Sequence, residues 1–323
     1  VIVRVFYHDK CFDGACSASL FSRLYRERVD PAAKLEFHGL VHRAGALFNE
    51  ADFIGDVNAI VDFKYSASPQ IQWWFDHHQS AFLTPADAAH FRAQNSPTKF
   101  YDPDCKSCTK LIAEVGKSKF NFDTAPVADM VHWADTIDGA SFSNSTEAVE
   151  LRAPAMKITM VIEATQDPTF VPRLIPYLSS QPLSQTVEEP LVASLLPPLL
   201  ERHWKSIEIL RERTESKDKV VYFDVTDYDL EGYNKFIPYY LYPECVYSVG
   251  LSKSSFRTKV SVGSNPWTTA ENLTNLAKIC ERYGGGGHAR VGAISFPPTE
   301  FDRARKASAE IVAELRAYAR EHH

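Results

Sequence analysis

The chain has 323 residues, 45% of them hydrophobic, and carries a net charge of −6 at neutral pH. That length supports its own core and sets an expectation of two domains. The acidic balance argues against a protein that coats long duplexes through a basic surface, and it leaves short, phosphate-bearing substrates open.

No apolar run reaches membrane-spanning length, and the start lacks the basic and apolar regions of a secretory signal. A cytoplasmic, reducing setting with no membrane partner is therefore expected. Val1 in place of an initiating Met and the closing Glu321-His322-His323 are expected to reflect trimming and an expression remnant.

Taken in chain order, Val1-Ile2-Val3-Arg4-Val5-Phe6-Tyr7 reads as a strand. It breaks at His8-Asp9-Lys10-Cys11-Phe12-Asp13-Gly14, after which the small residues Ala15-Cys16-Ser17-Ala18-Ser19 open a helix. A second strand, Val57 to Val61, stops at Asp62, and a third, Ile71-Gln72-Trp73-Trp74-Phe75, stops at Asp76-His77-His78. Each strand end thus delivers metal-competent side chains. Carboxylate oxygen with imidazole nitrogen suits Mn, Fe, Co or Zn, and the C-terminal ends of strands are where open α/β sheets bind ligands. Alternation of strand and helix in this half predicts a parallel sheet with helices on both faces.

Cys105-Lys106-Ser107-Cys108 has the gap of a zinc half-site, but no second Cys or His pair follows at zinc-finger spacing. From Cys108 to Val115 the pattern is helical, with Leu111, Ile112 and Val115 on one face, so the cysteines read as structural thiols and no disulfide framework is expected. Prolines recur from Pro168 to Pro198 and interrupt helices. A helix is predicted from about Leu199 to Glu215, strands at Val220–Phe223, Val246–Leu251 and Lys259–Val262, and a helix from Asn272 to Tyr283.

That last helix leads into Gly284-Gly285-Gly286-Gly287-His288-Ala289-Arg290. Glycines let backbone N–H groups turn toward an anion, and His288 and Arg290 add charge-assisted donors. Lys253, Arg257 and Lys259 on a predicted hairpin are either a second phosphate site or a solvated strand face.

In this order the motifs resemble the DHH phosphoesterase superfamily: an N-terminal His with acids, a lone Asp ending the next strand, the Asp76-His77-His78 triplet, and a later Asp within Val131-His132-Trp133-Ala134-Asp135-Thr136-Ile137-Asp138. The resemblance implies two divalent ions, usually manganese, that hydrolyse phosphoester bonds. It implies His8 on the first ion, Asp13 on the second, Asp62 bridging both, and His77 and Asp135 completing the second. His78 would face the substrate phosphate, and Asp76 would orient a His. Asp138 reads either as a supporting acid or as a turn acid. The glycine segment resembles the DHH-associated domain of the nuclease and nanoRNA-degrading branches, with Gly285, Gly286, Gly287, His288 and Arg290 as substrate-binding residues; Arg257 is counted with them from the basic hairpin cluster, not from the resemblance.

One departure is Cys11-Phe12-Asp13, where most members carry Asp-x-Asp. It is similar to a branch with His-x-x-Cys-x-Asp-Gly. Thiolate is a softer ligand that favours Zn or Fe, and three readings stay open: Cys11 holds the first ion, the first site is weak or empty, or Asp9 compensates.

The expected architecture is a doubly wound parallel-sheet α/β catalytic domain over 1–166, a Pro-rich helical connector over 167–215, and a smaller mixed-sheet α/β domain over 216–323, with the active site in the cleft between the two. The expected activity is a metal-dependent phosphoesterase acting through activated water on short RNA or DNA or nucleotide phosphates. Mn is the first choice of metal, with Mg, Co, Zn or Fe as others, in one or two ions. An inorganic pyrophosphatase or exopolyphosphatase, which the glycine-His motif disfavours, and a nucleic-acid-binding protein with a degenerate metal site are the alternatives.

Overall fold

A computed structural model describes residues 1–42, 45–230 and 232–323. The chain forms two compact units, Val1–Phe142 with Leu151–Leu199, and Ser143–Glu150 with Leu200–His323.

The first unit holds five strands, β1 (Ile2–His8), β2 (Lys34–Leu40), β3 (Val57–Val61), β4 (Trp73–Asp76) and β5 (Lys99–Tyr101). Every pairing is parallel and the order is β2-β1-β3-β4-β5, the doubly wound arrangement expected from the alternating pattern. All four residues of β4 are buried, acid included, as befits an inner strand covered on both faces. Phe6, Phe53, Ile60, Phe63, Tyr65 and Trp74 form an aromatic-rich core on one face.

Helices α1 (Phe12–Arg28), α2 (Pro85–Gln94), α3 (Cys108–Phe120) and α4 (Ala128–Asp138) follow the strands. In α1 the buried side extends nearly all round, from Phe12 to Tyr25. Its small residues Ala15, Cys16, Ser17, Ala18 and Ser19 let α3, α4 and a later helix approach closely. Leu111, Ile112 and Val115 of α3 are buried as the pattern predicts. Next in the chain come α5 (Ser145–Val149), α6 (Pro154–Ala164), α7 (Phe170–Ser180), α8 (Leu183–Thr186) and α9 (Pro190–Ala193), short as the prolines require. Then α10 (Leu196–Arg213) takes Pro197 and Pro198 into its first turn, where a missing N–H costs little.

The second unit carries β6 (Thr214–Lys217), β7 (Val220–Asp224), α11 (Ile237–Leu241), β8 (Tyr247–Lys253), β9 (Thr258–Ser264), α12 (Leu276–Glu281), β10 (Gly286–His288), β11 (Val291–Phe296) and α13 (Phe301–His322). Its sheet runs β10-β11-β9-β8-β7-β6, with β7 and β8 parallel and the rest antiparallel, so it is mixed as expected. One face packs Val249, Leu251, Val260 and Val262 against Leu276 and Ile279 of α12 and Ile311 and Leu315 of α13.

The helix expected from Asn272 is shorter. Asn275 is its N-cap, accepting from the Lys278 N–H, while Asn272 has a left-handed φ of 55°. Asn competes for such cap and turn positions better than for a helix interior.

No helix among the described residues is long and apolar enough to cross a membrane.

Candidate metal centre

β1 ends at His8, β3 is followed at once by Asp62, and β4 ends at Asp76 with His77 and His78 next. β1 and β3 are neighbours, with β2 on the far side of β1, so these ends border the point where the order of strands reverses. Asp62 adopts a φ of 56°, a strained backbone for a residue with a side chain, and its N–H donates to Phe75 O at 2.9 Å. Its Oδ2 lies 3.4 Å from His8 Nδ1, and its Oδ1 lies 3.5 Å from His77 Nε2.

The other side chains are aimed by the start of α3 and the end of α4. His77 Nδ1–H donates to the Cys105 carbonyl at 3.0 Å, which turns Nε2 toward Asp13 Oδ2 (3.6 Å) and Asp138 Oδ2 (3.3 Å). Asp13 is locked by the first turn of α3: it accepts from Cys108 N–H at 2.7 Å, Thr109 N–H at 2.9 Å and Thr109 Oγ1 at 2.6 Å. A helix N-terminus is a natural seat for a carboxylate, and Ser107 caps it through Lys110 N–H. His78 is held differently. Its Nδ1–H donates to Asp76 Oδ1 at 2.6 Å, and the same oxygen accepts the His77 N–H at 2.9 Å.

Three groups of donors lie together: His8, Cys11 and Asp62; Asp62, His77 and His78; and Asp13, His77 and Asp138. The atoms fit a divalent cation. His8 Nδ1, Asp62 Oδ1 and His77 Nε2 are buried with no hydrogen-bond partner among the described residues, where buried polar atoms ordinarily have one. Two donors each about 2.1 Å from one ion stand roughly 3–3.5 Å apart. Around His77 Nε2 the separations of 3.3 and 3.5 Å fall at that spacing and the 3.6 Å to Asp13 lies just beyond it.

Protonation points the same way. Burial, then repulsion from Asp62 and Asp138, pushes the Asp13 carboxyl well above the usual range. Burial and Asp62 likewise raise Asp138. Burial works against a charged His77, but Asp62 and Asp13 push it up to about 10. Burial also works against a charged Asp62, yet His77 and His8 hold it down to about 2. The cluster retains protons where a cation would otherwise balance its acids.

The predicted residues divide accordingly. His8, Cys11, Asp13, Asp62, His77 and His78 come together. Asp135 does not: it accepts from Ser107 Oγ at 3.3 Å and belongs to none of the three groups. Asp138, one helical turn later, stands in the cluster instead. Asp9 is also outside the groups and accepts from the Lys10 N–H at 2.9 Å.

Reading the sequence missed the contributions of the Cys105 carbonyl and of Thr109. The signal for the latter was Ser107 ahead of an apolar helical run, the mark of a helix start. Also missed was His42, whose ring packs edge-on to His8 at 5.0 Å and stacks on Phe63 at 4.6 Å.

In the second unit the glycine segment is a hairpin rather than an open loop. Gly286–His288 pairs antiparallel with Val291–Ala293. Gly287 has a φ of 151°, and a Cβ there would come within 2.2 Å of Val291 O. Arg290 turns back on its own unit, its Nε donating to Ser264 Oγ at 3.0 Å and its Nη2 to Asn265 O at 2.8 Å. His288 is exposed. Lys253 lies over the Phe301 ring at 5.4 Å and Arg257 over Phe256 at 5.1 Å.

No family model matches the chain, and no curated protein matches it. Solved structures do. A pGpG-specific phosphodiesterase from Vibrio cholerae superposes with a TM-score of 0.70 at 18% identity, covering 100% of both chains. The DHH domain of a protein assigned to a family of ribosomal proteins gives 0.59 at 15%, over 96% of this chain and 86% of the other. An exopolyphosphatase-related protein from Bacteroides fragilis gives 0.51 at 14%, over 99% and 93%. At such identities the likeness is one of fold: over nearly all of its length this chain folds as these three proteins do.

Proposed function

We propose that this protein is a metal-dependent phosphoesterase of the DHH type that hydrolyses phosphoester bonds in short oligonucleotides or nucleotide phosphates. The observation that carries the reading is the convergence of His8 Nδ1, Asp62 Oδ1 and His77 Nε2, all buried and unpartnered among the described residues, with Asp13, Cys11 and Asp138 around them. The motifs that resemble the DHH superfamily support it, as does the fold shared with a phosphodiesterase.

His8, Cys11 and Asp62 would hold one ion, and Asp13, Asp62, His77 and Asp138 a second, with Mn as the first choice and Zn or Fe favoured wherever the Cys11 thiol contributes. A divalent ion bound there supplies an activated water at neutral pH and neutralises charge on the phosphoryl group. The chain does the rest. Asp76 fixes the tautomer and plane of His78, leaving Nε2 to donate to a phosphoryl oxygen or to pass a proton. Asp13, held by the α3 amides and Thr109, keeps its carboxylate in place without rearrangement. His288 in the glycine hairpin serves substrate capture, with Arg290 bracing that hairpin.

The test is a panel assay. Protein stripped of metal and reloaded with Mn, Mg, Co or Zn is offered short RNA, cyclic dinucleotides, phosphoadenosine phosphate, pyrophosphate and polyphosphate. Chelator-sensitive turnover of the nucleotide substrates is expected. Turnover of pyrophosphate or polyphosphate alone would move the assignment to a phosphoanhydride hydrolase, and binding without turnover under every metal would leave a nucleic-acid-binding protein.

A further inference from the structure

β2 ends at Leu40, which stands level with His8 at the end of β1. His42 comes two residues later, beyond the carboxyl edge of the sheet, on the side where open α/β sheets take their ligands. Phe63 stands two residues beyond the end of β3. Since β2 and β3 flank β1, His42 and Phe63 approach the end of β1 from opposite sides, and they meet across it. Their rings stack at 4.6 Å with 21° between planes, and His42 presents an edge to His8 at 5.0 Å and 67°.

The two faces of the imidazole therefore differ. One is backed by Phe63, which is 1% exposed and held edge-on by Phe48 at 6.0 Å. His42 itself is exposed, and with one face stacked and one edge toward His8, that exposure falls on the opposite face. The ring belongs to none of the three donor groups, so the metal centre does not account for it.

The simpler account is that His42 caps the aromatic core of the first unit. It explains the contact with Phe63. It gives no reason for a ring fixed from behind and left open in front, at the rim of the metal donors.

We propose that His42 is a specificity-determining residue whose open face stacks on the nucleobase next to the phosphate at the metal centre. The inference rests on the phosphoesterase reading for what occupies that centre. Bases splayed from a single strand stack on histidine as on other aromatic side chains. Stacking uses a face that every base has, so the site discriminates by ring size: purines over pyrimidines, with adenine and guanine nearly alike.

The experiment reads binding without hydrolysis. The Mn-loaded full chain, as wild type, His42→Phe and His42→Ala, is titrated calorimetrically with dinucleoside phosphonates in which a methylene replaces the bridging oxygen. The analogues carry adenine, guanine, uracil or no base. Wild type is expected to bind the adenine and guanine analogues about tenfold more tightly than the baseless one, the scale of one stacked base, with uracil between. His42→Phe, which keeps the flat ring and removes the nitrogens, should retain that order, and His42→Ala should erase it with bound metal unchanged. Equal affinity of wild type for all four analogues, or His42→Phe behaving as His42→Ala, would overturn the proposal. So would loss of metal from either variant, which would make His42 a support of the ion. Base-dependent affinity as expected, but no metal-dependent turnover of any phosphate substrate, would strike at the phosphoesterase reading alone.

Discussion

At the scale of single residues, the donor set is unusual in placing a thiol beside two imidazoles and several carboxylates. Cys11 is the N-cap of α1, half buried, and shares a group with His8 and Asp62. Burial, then Asp62 and Asp13, raises its thiol well above the usual range, so it ionises there only with a cation to balance it. Cys11→Asp should then shift metal preference from Zn or Fe toward Mn, and Cys11→Ser should lower the number of ions bound. Metal analysis after competitive loading reads both. Unchanged content and preference in both variants would make Cys11 a bystander.

The departure at Cys11 is visible in the sequence. Whether it can reach a metal is not, because that depends on where α1 begins relative to the end of β1. The structure sets the cap position beside His8 and Asp62 and leaves Asp9 outside.

At the scale of elements, α4 is where the structure departs most clearly from the expected ligand set. Asp135 and Asp138 are three residues apart, so they share a face of one helix about 4.5 Å apart along its axis. Periodicity cannot choose between them, since both are polar ends of the same stripe. The choice falls to the height of α4 relative to the strand ends, which is set by its packing against α1 and α3. Asp138→Asn should weaken metal binding by tenfold or more, while Asp135→Asn, which loses only the Ser107 contact, should leave it within about twofold. Titration of stripped protein with Mn or Zn distinguishes them, and the reverse order of effects would return the ligand to Asp135.

The glycine segment teaches a related lesson. In the sequence, four glycines followed by His and Arg read as backbone N–H groups free to turn toward an anion. Pairing with β11 instead makes them a hairpin, and Arg290 is engaged by Ser264 and Asn265. Strand pairing is a non-local property, so a short Gly-rich run carries little sign of it.

At the scale of the whole molecule, the metal centre should appear as a stability cost in its empty state. Asp13 is buried and its carboxyl is raised by burial and by Asp62 and Asp138, and a buried acid whose charge no cation balances is destabilising. Loading with metal at about a hundred times its dissociation constant should add roughly 2.7 kcal/mol, a rise of roughly 5–11 °C for a unit of this size. Asp62→Asn should abolish turnover and remove that rise, and it should also lower the stability of the metal-free protein at neutral pH, because His77 and His8 favour the Asp62 carboxylate and an amide forfeits that pairing. Asn accepts the left-handed backbone at 62 more readily than most residues do, so the loss is electrostatic. Thermal melts with and without metal test this. A metal-free variant as stable as the wild type would mean that the imidazoles do not pair with Asp62.

The sequence alone determined the class of fold, the three strand ends and most of the candidate donors. Those are local facts: an apolar run of strand length, a break, and a metal-competent side chain at the break are contiguous in the chain. Tertiary structure decided which acid of α4 joins the cluster, that the start of α3 locks Asp13 and His77, and that the glycine run pairs as a strand. Each of these depends on the distance between segments far apart in the chain, set by side-chain packing to within an ångström, and no local pattern encodes it.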